Sequence, residues 1–594
     1  MLQLIKSKFN KQVIFSFFII ILFYMGLILI GDKFFSTKLI LNNLYFDFSL
    51  YMVSAYIVYR LTKNIYAFVL LFTLFFIVVV FTNLLKIAFY GAPIFVDDVF
   101  LIKEVFSILD GFYFIALIIM LIFTVFGLFY SVNIKKLFAF DVIAVLLILI
   151  IPILFYPKTV TQFVKNKYGY IFWDQKINFE KMGPMVYLYQ ALARYQIETV
   201  ESPSRLEVEK ALNDLSYLNK QKENIEFSKR NVYVVLLESF WDASVMKDAK
   251  LSQDCFTPSF RKLIEQKQEN FVLSPVFGGK TANAEFEILC GQPVTFGKGI
   301  VFQTSIHNDV ECLPRLLLNE GYDVSVWHPN RATFFNRIKA YKKIGFENRY
   351  FKDKFDFKDK NGPFLSDKEL YETVIKYNKQ LNKPHFTYIM TITGHWGYPL
   401  HKKRKKIIKT SSNVKEVENY VNSIYYTSKE FMEFYKNIKQ HDPEALVVVA
   451  GDHLPFLGAN FAGYVESDLL TKSISDFSTS MYLDYASTPL LVLDGKNGKI
   501  DVGTISMYDI PHVVLSLLGY EKNNILNKVK NNTDYVIRAY EGLNLVLTKQ
   551  KEVIKCTKQS IEKECVKSNT WIKNIDIISR DLFLGEQYSE QVNE

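Results

Sequence analysis

The hydrophobic pattern of this chain changes character near residue 157. Before it, apolar residues run almost unbroken for about twenty positions at a time, the length needed to cross a bilayer as a helix. The pattern predicts spans at about 13–31, 40–59, 65–85, 111–131 and 137–156. Asn42, Asn43 and Asp47 interrupt the second, and Asp141 stands near the start of the last. Asp47 is expected near the membrane interface, without a special role. Lys6, Lys8 and Lys11 precede the first run, which lacks a small-residue cleavage site and reads as an anchor. With the N-terminus inside, Arg60, Lys63, Lys135 and Lys136 fall in short cytoplasmic loops, and the acidic loop with Asp97, Asp98, Glu104 and Asp110 falls outside. Segment 91–110 is too charged to span and is expected on the outer interface. Five spans place everything after 157 on the extracytoplasmic side.

Residues 158–225 connect this region to the rest. Their Trp173, tyrosines and scattered lysines suit interfacial helices, and 201–229 reads as polar helix or linker. From 226 to 525 the pattern alternates. Short β-branched runs at 231–238, 323–328, 385–392, 445–451 and 489–494 are separated by helical stretches, including Val414–Gln440. Such alternation predicts an α/β domain around a mainly parallel sheet. Residues 526–594 are charged and weakly patterned, a C-terminal extension that is either a small cap or partly mobile.

Composition adds little to this division. The formal net charge of +10 is spread along 594 residues and reads as a solvated basic surface. No basic stripe or nucleic-acid motif stands out, which sets that class aside. All five cysteines (255, 290, 312, 556 and 565) follow the membrane region. In an oxidising space they can pair. Cys290 with Cys312 and Cys556 with Cys565 are nearest in sequence, but spacing leaves the connectivity open.

The chemistry gathers at strand ends. Glu238 closes the run 231–238, and Asp452-His453 follow 445–451. The C-terminal edge of an open parallel sheet is where ligands bind. Gly278-Gly279-Lys280-Thr281 sets a hydroxyl after a sharp turn, on the first turn of an expected helix. Glu238, Thr281, Asp452 and His453 together offer two carboxylates, a hydroxyl and an imidazole, a set suited to Mn²⁺, Mg²⁺ or Zn²⁺. His328 and His395 also follow strands. With Arg337 they suit a phosphate pocket, where the guanidinium can grip oxygens bidentately and His395 can carry a proton. Trp241, Trp327 and Trp396 lie beside these motifs and fit core packing and substrate platforms equally. The plain alternative for the strand-end residues is helix capping and turn formation.

"LLESFWD", "GGKTANAEFEILCG", "FFNR", "TGHW" and "GDH" occur in that order over roughly residues 225–520. The set resembles the lipoteichoic acid synthase family of membrane phosphoglycerol transferases, within the alkaline phosphatase/sulfatase superfamily. The resemblance implies an alkaline phosphatase/sulfatase-like domain behind a multi-pass membrane anchor. It implies one divalent metal, Mn²⁺ first, held by Glu238, Thr281, Asp452 and His453. Thr281 would be the nucleophile, His395 would serve catalysis, and His328, Arg337 and His395 would line the substrate pocket. The implied donor is phosphatidylglycerol in the bilayer, and the implied acceptor an envelope glycan or glycolipid. Phe335 departs from the Trp that gram-positive synthases tend to carry, which touches glycerol contacts more than chemistry. Alternatives are a phosphoethanolamine transferase of the same fold, a sulfatase or phosphodiesterase-type hydrolase, and an inactive envelope scaffold. Thr at the nucleophile position disfavours a sulfatase. Cys312-Leu-Pro-Arg315 has its Arg one place early for a sulfatase maturation motif and reads as a decoy.

Overall fold

The protein is described here from a computed structural model covering residues 11–591, except 36, 41–43, 91–92, 95, 97–130, 170–174, 198–201, 217–226, 267–268, 297–298, 333, 521, 523, 532 and 541. It divides into two compact units, Met1–Thr199 and Val200–Glu594. The expected span at 111–131, the acidic loop at 97–110 and Trp173 lie outside the described residues.

The first unit is helical. Among the described residues, Phe15–Phe35 and Ile65–Ile87 are long and apolar enough to cross a membrane. The second of these passes through a π-helical turn at Ile77–Phe81. Phe140–Phe155 and Pro157–Tyr168 form a pair bent by 94°, so the last predicted span ends in a sharp corner. The two short basic segments sit together: Asn133 N donates to Leu61 O at 2.8 Å and Lys63 N to Ser131 O at 3.1 Å. Arg60 bonds Asp141 through Nη2 at 2.9 Å.

Helix Leu44–Leu61 covers the interrupted run but is not among the helices that qualify as spans. Asp47, expected without a special role, is fully buried. Its Oδ1 accepts from Met185 N at 2.7 Å and Val186 N at 2.9 Å, and its Oδ2 from Tyr24 Oη at 2.9 Å. It therefore caps the helix Pro184–Ile197 from outside, satisfying donors that helix leaves unpaired.

The second unit is built on a nine-stranded sheet. Its strands are β1 Val232–Leu237, β2 Asn270–Leu273, β3 Asp323–Trp327, β4 Asn348–Tyr350, β5 His385–Met390, β6 Leu446–Gly451, β7 Ser487–Asp494, β8 Gly498–Lys499 and β9 Thr504–Ser506. The order is β9-β2-β7-β6-β1-β5-β3-β4, with β8 beside β7. The stretch β6-β1-β5-β3-β4 is parallel throughout, and β7 runs antiparallel to its neighbours. All five strands expected from the sequence are present. VYVVLL and LVVVAG are buried at every position, as strands covered on both faces require. Short β2, β4, β8 and β9 lack that apolar signal. The long helix forms at Lys415–His441. It packs on Asp367–Asn378, where Tyr371 stacks on Phe434 at 4.3 Å.

The C-terminal residues are an ordered part of this unit. Val536–Tyr540, Leu543–Leu547 and Val553–Cys556 form an antiparallel sheet, followed by helix Lys563–Leu584. Arg538 is fully buried and grips Glu287 with two bonds of 2.6 Å. Its charge is a core anchor rather than surface. Disulfides join Cys290 to Cys312 and Cys556 to Cys565, and Cys255 is free and buried.

Candidate active site

Strands β1, β6 and β5 are adjacent and parallel, so their C-terminal ends deliver Glu238, Asp452-His453 and the turn after Met390 to one edge. Two glycines let these ends close up. A Cβ on Gly394 would lie 2.0 Å from Glu238 O, and one on Gly451 would lie 2.0 Å from Phe240 O. The glycines of "TGHW" and "GDH" thus leave room for the backbone that carries Glu238. Thr391 Oγ1 accepts from Glu238 N at 2.9 Å and fixes the turn further.

Ligand atoms of Glu238, Asp452 and His453 all lie within 4.8 Å of one another, and all three residues are buried. His453 Nδ1 bonds Leu454 O at 2.9 Å. That leaves Nε2 as the free ring nitrogen. It sits 3.3 Å from Asp452 Oδ2 and 3.9 Å from Glu238 Oε1, without a hydrogen-bond partner among the described residues. Asp452 Oδ1 accepts from Ser239 N at 2.6 Å and His453 N at 2.7 Å, which leaves Oδ2 to face the cluster. Ser239, in the left-handed region at φ 50°, turns the chain to make this possible.

Thr281 opens a helix, Thr281–Cys290, of which every residue is buried. Lys280 before it is left-handed at φ 59°. The turn carries Thr281 to the cluster, where Oγ1 donates to Asp452 Oδ2 at 2.9 Å. The four residues singled out in the sequence therefore meet. Burial, and then the nearby Asp452 charge, raise the Glu238 carboxyl above its ordinary value. Burial pushes Asp452 up to about 7 and lowers His453. Two carboxylates and a lone-pair nitrogen converging in a buried space fit a divalent cation, whose charge offsets their repulsion. When bound, such an ion acidifies a hydroxyl and stabilises charge on phosphoryl oxygens.

His328 and Arg337 both contact Met390. His328 Nδ1 meets Met390 O at 3.2 Å, and Arg337 Nη2 meets Met390 Sδ at 3.6 Å. Burial and the Arg337 charge hold His328 well below the usual imidazole range, so it is neutral. Arg337 differs from its sequence reading. Its Nε and Nη2 are taken by Glu285 Oε1 at 2.9 and 2.7 Å. A bidentate grip on phosphate through those atoms is closed. Only Nη1 lacks a hydrogen-bond partner among the described residues, as does His328 Nε2. Phe335 and Asn336, at φ 56° and 57°, turn the chain into the Arg337 helix. The Phe335 ring lies 5.1 Å from the guanidinium. His395 is exposed and close enough to bias both Glu238 and His328 electrostatically.

Residues 230–520 match the sulfatase family. Over this region the chain resembles the lipoteichoic acid synthases of the alkaline phosphatase/sulfatase superfamily. It is 30% identical over 376 residues to a putative cyclic β-1,2-glucan modification protein of Rhizobium meliloti, covering 61% of this chain and 56% of the relative, less than two thirds of its length. It is 25% identical over 450 residues to a lipoteichoic acid synthase of Staphylococcus aureus, covering 69% of this chain and 67% of that one. Among solved structures, the lipoteichoic acid synthase LtaP of Listeria monocytogenes matches with a TM-score of 0.49 at 22% identity, over 65% of this chain and 98% of that one.

Four residues of the sulfatase-like domain were given no role from sequence: Glu285, Glu287, Met390 and Thr391. Glu285 and Glu287 are carboxylates beside apolar residues of one helix, a pattern that signals buried ion pairs. Thr391 and Met390 carry no such signal. Trp241 and Trp327 are core residues, the latter stacked on Tyr350 at 3.9 Å, while Trp396 is 43% exposed beside His395. Cys312 is held in a disulfide, which removes it from any maturation chemistry.

Proposed function

We propose that this chain is a membrane-anchored phosphotransferase that moves phosphoglycerol from phosphatidylglycerol to an envelope glycan or glycolipid through a covalent intermediate on Thr281. The observation that carries the reading is the 2.9 Å hydrogen bond from Thr281 Oγ1 to Asp452 Oδ2, inside a buried Glu238–Asp452–His453 cluster. One divalent ion, Mn²⁺ by preference, is held there by Glu238, Asp452, His453 and Thr281. The names of the relatives, a lipoteichoic acid synthase and a glucan modification protein, support envelope glycans or glycolipids as acceptors.

In this reading Thr281 Oγ1 passes its proton along its hydrogen bond to Asp452 Oδ2 while its lone pair attacks phosphorus. The Oγ1–P bond forms as the bond from P to the diacylglycerol oxygen breaks. His395 protonates the departing alkoxide. An acceptor hydroxyl then attacks phosphorus and gives its proton to His395, the P–Oγ1 bond breaks, and Thr281 Oγ1 regains its proton from Asp452. His328 Nε2 and Arg337 Nη1 direct hydrogen-bonding capacity at the phosphoryl oxygens. The catalytic region is 226–525. The anchor, 1–157, is multi-pass with five spans; residues 158–225 link it to the catalytic region, and 526–594 cap that region. The basic pairs around Arg60 and Lys135 mark the cytoplasmic side, so the catalytic region lies outside.

The test is reconstitution of the full chain in vesicles holding equal phosphatidylglycerol and phosphatidylethanolamine, each headgroup labelled. The reading requires diacylglycerol release with phosphoglycerol label on the acceptor. Phosphoethanolamine label on the acceptor, or release of free headgroup with no transfer, contradicts it.

A further inference from the structure

The turn that carries His395 leads directly into His401-Lys402-Lys403-Arg404-Lys405-Lys406. The overall charge is spread out, but this run is not. Its backbone is pinned to the domain. Arg404 turns inward, donating to Asp359 Oδ2 at 2.8 Å and Glu430 Oε1 at 2.7 Å. Tyr426 Oη donates to Lys405 O at 3.0 Å, and Asn422 Oδ1 accepts from Ile407 N at 2.7 Å and Ile408 N at 3.0 Å. Lys406 is paired with Glu418 at 3.0 Å. Lys402, Lys403 and Lys405 remain: all exposed, with no carboxylate in ion-pair range among the described residues.

Two large apolar side chains are exposed in the same segment, Trp396 at 43% and Ile407 at 38%. Trp396 lies 6.2 Å from the Phe456 ring, and Phe456 borders Gly278 in the nucleophile turn. The strip therefore reaches the rim of the site.

We infer that residues 395–407 dock on an anionic bilayer: Lys402, Lys403 and Lys405 meet lipid phosphates while Trp396 and Ile407 enter the headgroup layer. Lysines beside an amphipathic aromatic ring are the composition that binds there. A plain solvated loop has no reason to fix its backbone through Arg404 while leaving Trp396 out. The apolar anchor holds the domain near lipid, so weak contacts are enough to orient it. The inference stands whichever headgroup the site transfers.

The test is hydrogen exchange on the full chain in nanodiscs of phosphatidylcholine alone or mixed with phosphatidylserine, which is not the proposed donor. Amides of 395–409 are expected to be protected only with phosphatidylserine, and high salt should remove the protection. Replacing Lys402, Lys403 and Lys405 by Ser is expected to lower the docked-to-free ratio by about a hundredfold, at about fivefold per lysine. Exchange across 232–237 serves as the folding control. Equal exchange in neutral and anionic nanodiscs overturns the inference, as does protection that appears only when a soluble anionic glycan is added.

Discussion

Arg337 and Glu285 form a buried ion pair, Nη2 donating to Oε1 at 2.7 Å with side chains 1% and 0% exposed. It ties the "FFNR" segment to the helix that Thr281 opens, so Arg337 and Thr281 are held by one buried joint. Tyr341 completes it by donating to Glu285 Oε2.

Removing one partner strands the other. Glu285→Ala is expected to cost about 3–5 kcal/mol, because an uncompensated guanidinium stays buried. A Glu285→Met/Arg337→Met double variant should regain much of that stability, yet remain inactive if Arg337 Nη1 serves the phosphate. Melting temperature and transfer rate, measured together on the four proteins of the cycle, check this.

Metal removal gives a second prediction. An ion bound only by the folded cluster stabilises it by about 2.7 kcal/mol at a hundredfold excess over its Kd. Chelation should lower the melting temperature, and Asp452→Asn should abolish that difference. Elemental analysis should find one divalent ion per chain in the wild type. A stoichiometry of zero in active protein contradicts the site.

Asp367 supplies a pH prediction. Thr393 Oγ1, on the turn leading to His395, donates to Asp367 Oδ2 at 2.5 Å. Burial, and then the neighbouring Glu430, hold the Asp367 carboxyl well above the carboxylate range, with Arg404 opposing. A carboxyl with a raised folded pKa binds its proton more tightly in the folded state. Its contribution is therefore lost as pH rises above the unfolded value near 4. Asp367→Asn keeps an acceptor for Thr393 and removes the charge. Its melting temperature should match the wild type at about pH 4 and exceed it at about pH 8. Parallel curves contradict this.

The Cys290–Cys312 bond ties the far end of the Thr281–Cys290 helix across 22 residues. Replacing both by Ala is expected to cost about 3 kcal/mol through loop entropy. Denaturant titration of the domain signal checks it.

The sequence disclosed the parallel core strands because their β-branched runs are buried on both faces. It disclosed the four clustered residues because strand ends and a glycine turn mark them. It did not disclose the partners of Arg337 and Arg538, since a charged residue looks the same in sequence whether it meets solvent, phosphate or a buried Glu. The role of Asp47 stayed hidden for the same reason: it caps a helix more than a hundred residues away. The C-terminal cap was obscured because its strands are short and one carries an Arg inward.

The central claim is that Thr281 carries the transferred group. The direct measurement is the intact mass of the Thr281 peptide from full chain trapped with phosphatidylglycerol and no acceptor. A glycerophosphoryl adduct on Thr281, absent from a well-folded Thr281→Ala variant that no longer turns over, is the predicted result. An unmodified Thr281 in a protein that still releases diacylglycerol, or transfer surviving in Thr281→Ala, contradicts it.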